Sequence, residues 1–241
     1  MSSELRPLSA VPFWICAVLA LTLGVQIASR LSTPALPASA DLPPPPRPEA
    51  LRLASFAEEP AAARLAMLYL QAFDYRGDNR IPYQKLDYGR LIGWLSAILA
   101  LDPRSDYPLF SAARIYAENP DPARSRQMLE YVYRAFLDDP NRRWPWLAHA
   151  ALLAKHRLND LPLALRYARA VEQNTTDPNV PSWAKQMQIF ILEDMNELEA
   201  AKTMIVSLLE SGRIHDPAEI RFLQERLQEL AARQASQARR R

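Results

Sequence analysis

The residues best suited to chemistry or recognition fall into three groups. His149 and His156 share a helical face with Trp146 and Leu153, at successive spacings of 3, 4 and 3. Imidazole is the usual metal ligand and proton carrier near neutral pH. Seven helical residues separate the two rings by about 10.5 Å, too far to share one zinc ion, and no cysteine or carboxylate cluster is placed to complete a coordination set. The stretch Asn141-Arg142-Arg143-Trp144-Pro145-Trp146 sets two guanidiniums beside two indoles, a combination suited to acidic or aromatic groups through ion pairs and cation–π contacts. Phe110, Trp146 and Trp183 follow one another at 36 and 37 residues. Aromatics at that interval either form a ladder of anchors for a bound peptide or plug the slot between paired helices. Phe110, Arg142, Arg143, Trp146, His149, His156 and Trp183 are accordingly the candidate partner-binding residues.

Catalysis has little to work with. Glu193, Asp194, Glu197 and Glu199 make an acidic run, but acid–base or cation chemistry needs burial and convergence, and a run at a helix junction reads as a solvated turn and helix start. The HExxH, GxSxG, phosphate-loop and dinucleotide-glycine patterns are missing, and the five glycines are Gly24, Gly77, Gly89, Gly93 and Gly212. The one cysteine, Cys16, sits inside an apolar run, so neither an intrachain disulfide nor a cysteine zinc site is expected. The sequence thus predicts no enzyme activity, metal or cofactor. Residues 49–231 carry 22 Lys and Arg against 25 Asp and Glu, which argues against a nucleic-acid partner.

Side chains recurring every 36 to 37 positions need a scaffold with that repeat. Glycine scarcity favours helix, and Pro60, Pro108, Pro145, Pro181 and Pro217 each open a stretch with helical apolar periodicity. Proline suits the first helical position, where its missing N–H is no loss. A second series, Leu91, Met128, Ala164 and Ala201, falls early in a second helix of each unit, at gaps of 37, 36 and 37. Asp-Pro pairs at 102–103, 139–140, 177–178 and 216–217 punctuate the ends. Two helices per 36 to 37 residues is a helical-hairpin array.

Asn159-Asp160-Leu161-Pro162-Leu163-Ala164-Leu165-Arg166-Tyr167-Ala168 and Asn196-Glu197-Leu198-Glu199-Ala200-Ala201 resemble the start of the second helix in the tetratricopeptide repeat family. The resemblance covers about residues 60–232 and departs from the family in its longer period and in having Leu91 and Met128 where the family has a small residue. It implies an all-α, right-handed α-solenoid of about four hairpins that binds protein or peptide partners in a groove. The expected units are about 60–107, 108–144, 145–180 and 181–216, closed by an amphipathic cap over 217–232 and a basic disordered tail over 233–241. An insertion in the first unit, 75–84, reads as a polar loop tip or as a loop that contacts a partner.

Ahead of this domain, at 49–232, lie a short tail (1–7), an uncharged run from Leu8 to Ala28 and a linker (29–48). The run has 21 residues, about 31 Å as helix, which matches a bilayer core; it reads as an uncleaved single-pass anchor in preference to a signal peptide, although Ala38-Ser39-Ala40 offers a cleavage pattern. Residues 33–48 hold seven prolines and read as an extended spacer. A short tail before a single anchor places the repeats on the non-cytoplasmic side, the periplasm in a Gram-negative cell. The function expected is a membrane-anchored interaction scaffold or adaptor in cell-envelope complexes; the alternative is a chaperone-like biogenesis factor holding extended client peptides at the membrane.

Overall fold

The computed structural model describes residues 12–32, 41–73, 82–212, 214 and 216–239, in two compact units divided between residues 40 and 41. Among the described residues all regular structure is helical and there is no strand. Among its described residues the first unit holds one helix, α1 (Phe13–Ser32), with Phe13, Trp14, Leu21 and Leu23 exposed. Among the described residues no helix is long and apolar enough to cross a membrane. The described side chains of α1 run from Phe13 to Ser29, about 26 Å of rise against a hydrocarbon core of roughly 30 Å. The expected span also takes in Leu8 to Val11, outside the described residues.

The second unit holds α2 (Pro48–Ala54), α3 (Glu59–Ala72), α4 (Tyr88–Leu101), α5 (Tyr107–Arg114), α6 (Pro122–Asp138), α7 (Pro140–His156), α8 (Leu161–Asn174), α9 (Ser182–Asp194), α10 (Leu198–Glu210) and α11 (Pro217–Ala238). From α3 onward each helix packs on the next in sequence, and α5 on α7, α7 on α9 and α4 on α6 are also in contact. The most extensive interface joins α7 and α8, and Ala148 and Ala151 on α7 and Ala164 and Ala168 on α8 are buried. Side chains that small let two helices approach closely. Leu91, Met128, Ala164 and Ala201 are all fully buried.

Aspartates start several of these helices. Asp87 accepts from Gly89 N at 2.8 Å and Arg90 N at 3.1 Å; Asp121, Asp160 and Asp216 cap α6, α8 and α11 in the same way. The proline series is less regular than its spacing suggests. Pro60, Pro108 and Pro217 lie in first turns and Pro181 is the residue before α9, but Pro145 is inside α7, whose first residue is Pro140. The unit boundary expected at 144/145 therefore moves back to Asp139-Pro140, and Pro145 forgoes the bond its N–H would have made to the Asn141 carbonyl. Helix α5 is short, at eight residues. Pro120 holds Asn119 in extended geometry, and α5 gives way to a 3-10 turn, Tyr116–Glu118.

The turns from α7 to α8 and from α9 to α10 place Asn159 and Asn196 in the left-handed region, at φ 51° and 61°. Asparagine tolerates this conformation and β-branched residues do not. Asn159→Val should therefore cost about 1–2 kcal/mol, while Asn159→Gly should be near neutral; chemical-denaturation midpoints of the two variants check this.

Two expectations at the edges of the domain change. The basic tail is not disordered as a whole, because α11 continues to Ala238. Gln234 bonds both Glu199 and Lys202, and Gln237 Nε2 donates to Asn196 Oδ1 at 2.9 Å, tying the extra turns to α10 and the turn before it. Nor is the proline-rich segment a free spacer over its full length. Residues 41–47 cross α4 in extended form, with Leu42 fully buried. Arg90 Nη1 donates to Leu42 O and Trp94 Nε1 to Pro43 O, each at 2.8 Å, and the Pro45 ring rests on Gly93. Residues 33–40, and 75–81 of the expected insertion, lie outside the described residues; Tyr83–Lys85 is a 3-10 turn.

Candidate partner-binding surface

Three first helices bring the aromatic candidates toward one another. Phe110 on α5 meets Trp146 on α7 edge-to-face, with centroids 5.7 Å apart and planes at 83°. Trp183 on α9 meets Trp144, not Trp146, at 5.5 Å and 71°. Tyr107 extends the line beside Phe110 at 6.5 Å, and its hydroxyl donates to Gln71 Oε1 on α3 at 2.6 Å. The expected series of Phe110, Trp146 and Trp183 is thus two offset pairs, one joining α5 to α7 and the other joining α7 to α9. Edge-to-face contact sets the positive rim of one ring against the face of the other. Phe110 remains 39% exposed and Trp183 54%, whereas Trp144 and Trp146 are half-buried.

The polar candidates divide sharply. Arg143 is only 7% exposed. Its Nη1 donates to Ala135 O at 2.7 Å and its Nη2 to Pro103 O at 3.2 Å, with Asp138 Oδ2 at 3.6 Å. That guanidinium is a clamp joining the end of α6, the start of α7 and the turn after α4, so it is withdrawn from any partner. Arg142 donates to Arg104 O and lies 3.6 Å from Asp139 Oδ2, on the surface. His156 is exposed as the last residue of α7.

His149 is half-buried one turn from Trp146. Burial, reinforced by Arg114 and opposed by Glu118, holds its pKa below the ordinary 6.5. The unfolded chain therefore takes up this proton first as pH falls. The contribution is complete above about 6.5 and is lost as pH drops below that value. His149→Gln should flatten the change in thermal stability between about pH 7 and 5.5, measured against the wild-type chain. His149 Nε2, Trp146 Nε1 and the buried Ser111 Oγ have no hydrogen-bond partner among the described residues.

Of the acidic run only Glu193 is drawn into packing, while Asp194, Glu197 and Glu199 are exposed. Glu193, its side chain 5% exposed, pairs with Arg226 and lies 3.9 Å from Arg233 on α11. Asp194 pairs with Lys155, and Glu199 with Lys202. Among the described residues no three His, Cys, Asp or Glu stand together to hold a metal.

Two further features are only weakly marked in the sequence. One is the receptor made by Arg90, Gly93 and Trp94 for the proline segment; Leu42 preceding four prolines, and two glycines four apart in a glycine-poor chain, were its traces. The other is a cleft of about 860 Å³ between α4 and α6, walled by Ile92, Leu99, Tyr131, Ala135 and Glu130. Burial pushes the Tyr131 phenol up, so it stays neutral there. Set against known proteins, the chain matches no family model, no curated protein and no solved structure.

Proposed function

We propose that the chain is a non-catalytic, membrane-anchored interaction scaffold. Its helices form a right-handed α-solenoid of tetratricopeptide-like hairpins capped by α11, and a protein or peptide partner lies along the first-helix face. The observation that carries this reading is the aromatic line of Tyr107, Phe110, Trp146, Trp144 and Trp183, whose outer members stay open to solvent. Large rings already fixed by mutual contact make anchors that lose little entropy on binding.

In this reading α1 belongs to the anchor, since its side chains from Phe13 to Ile27 are uncharged on every side. The repeats stand on the non-cytoplasmic side, periplasmic in a Gram-negative cell, and organise an envelope complex. Two measurements test the parts separately. The full chain should stay with membranes after alkaline carbonate extraction, and its release would remove the anchor. Screened against a random peptide library, the detergent-solubilised full chain should select one defined sequence class, and lose it with Trp183→Ala. Indiscriminate binding of extended peptides would favour the client-holding alternative; no selection at all would refute the scaffold.

A further inference from the structure

The docked proline segment points to a second interaction surface, in the layer of α4 and α6 instead of the aromatic line on α5, α7 and α9. A run of prolines has no N–H to donate and offers only carbonyls and ring faces. The surface of α4 supplies the complement: the Arg90 guanidinium and Trp94 indole donate to the successive carbonyls of Leu42 and Pro43. Polyproline II has three residues per turn, so Leu42 and Pro45 fall on the same side. Leu42 is fully buried and Pro45 lies over Gly93, where a Cβ would stand 2.6 Å from Pro45 Cγ. Glycine at 93 is what admits the ring. Indole donors and apolar slots read extended proline ligands in just this physical manner.

The two halves of the contact differ in how firmly they are held. On the receptor side, α4 is rigid, with Leu91, Leu95 and Ile98 in the core. On the ligand side, Pro44 and Pro45 are exposed. The helix that follows, α2, contributes no buried residue. The turn after it holds two consecutive non-glycine residues, Phe56 and Ala57, in the left-handed region, at φ 49° and 69°, a strain of about 1–2 kcal/mol per residue. The contacts address backbone carbonyls and apolar groups that any Leu-Pro-x-Pro segment presents.

We propose that α4 carries a recognition site for a leucine- and proline-rich extended segment, filled in cis by residues 42–45 and taken in exchange by such a segment of a partner protein. Tethering gives the internal segment an effective concentration on the order of millimolar, so the intact chain discriminates against weak competitors and admits a partner once the strap is loosened.

The test uses the full chain in detergent micelles and a fluorescein-labelled peptide with the sequence of residues 40–48. Releasing the strap with Leu42→Asp plus Pro45→Asp should tighten peptide binding by at least about tenfold in anisotropy titrations, since the internal competitor is gone. Adding Trp94→Phe to that variant should remove the gain, and a peptide with aspartate in place of its leucine should fail to bind. A released chain with the wild-type circular dichroism that binds no tighter than wild type overturns the proposal. Should the released variant not fold, the wild-type site decides. A spin label at Pro44→Cys, in a Cys16→Ser background, should gain a mobile component as unlabelled peptide is raised through the millimolar range. An unchanged spectrum overturns the proposal. Concentration-dependent dimers of the wild-type chain that dissociate on adding the peptide would give the site to a second copy and overturn the assignment to another protein.

Discussion

Arg143→Met should lower the unfolding free energy by about 3 kcal/mol. Methionine keeps most of the stem volume and removes the fork, which leaves the Ala135 and Pro103 carbonyls without their donor. Hydrogen bonds from a charged group contribute about 1.5–3 kcal/mol each, and a buried acceptor left empty carries its desolvation penalty besides. For a domain of this size the melting temperature should fall by roughly 6–12 °C. Arg142→Met is the control. Its partners, Arg104 O and Asp139, lie on the surface, where an ion pair contributes under about 1 kcal/mol. Equal urea midpoints for the two variants would show that the Arg143 clamp does not hold the junction of α6 and α7.

Trp183→Ala should weaken partner binding by about 30-fold, corresponding to the 2 kcal/mol or more of an aromatic anchor at the centre of an interface. Phe110→Ala should act in the same direction. Stability should change little in either variant, since Phe110 and Trp183 already meet solvent and their removal exposes only one face of a neighbouring ring. The separation of the two readouts is the point: titration with a selected peptide reports the first and thermal unfolding the second. Unchanged affinity together with a large loss of stability would mean that these rings plug the joints between units and bind nothing. Trp144 and Trp146 are less clean probes, because they are half-buried and serve both packing and surface.

Helical periodicity made the helices legible, and the interval of 36 to 37 residues recovered the fully buried positions Leu91, Met128, Ala164 and Ala201. Proline was a weaker guide. Its fixed φ is compatible with any of the first positions of a helix and with the position before it, so Pro145 and Pro181 gave the spacing without giving the boundary. Arg143 looked like a surface contact because composition places arginine outside, and only the three-dimensional meeting of α6, α7 and the turn after α4 shows carbonyls waiting for it. The link between Trp144 and Trp183 was hidden for a related reason: rings equal in spacing need not be the rings that touch. Residues 41–47 were read as spacer on proline content alone, although Leu42 was the one residue there with an apolar side chain long enough to be buried.

Among the described residues, several hydrogen bonds between helices share a narrow range of separations. Arg166 reaches Glu130 across 36 positions, Asn141 reaches Thr176 and Asp177 across 35 and 36, and Arg226 reaches Glu193 across 33. None of the hydrogen bonds described spans more than the 51 positions between Pro43 and Trp94. In the proposed solenoid, order passes from neighbour to neighbour, as in a one-dimensional lattice. Loosening should therefore begin at an end and travel, and amide exchange should grade along the array instead of collapsing at one threshold. A ligand seated across Trp144 and Trp183 would raise protection in α7 to α10 and leave the first hairpin at its own rate, so the array would report where it is occupied as well as whether it is.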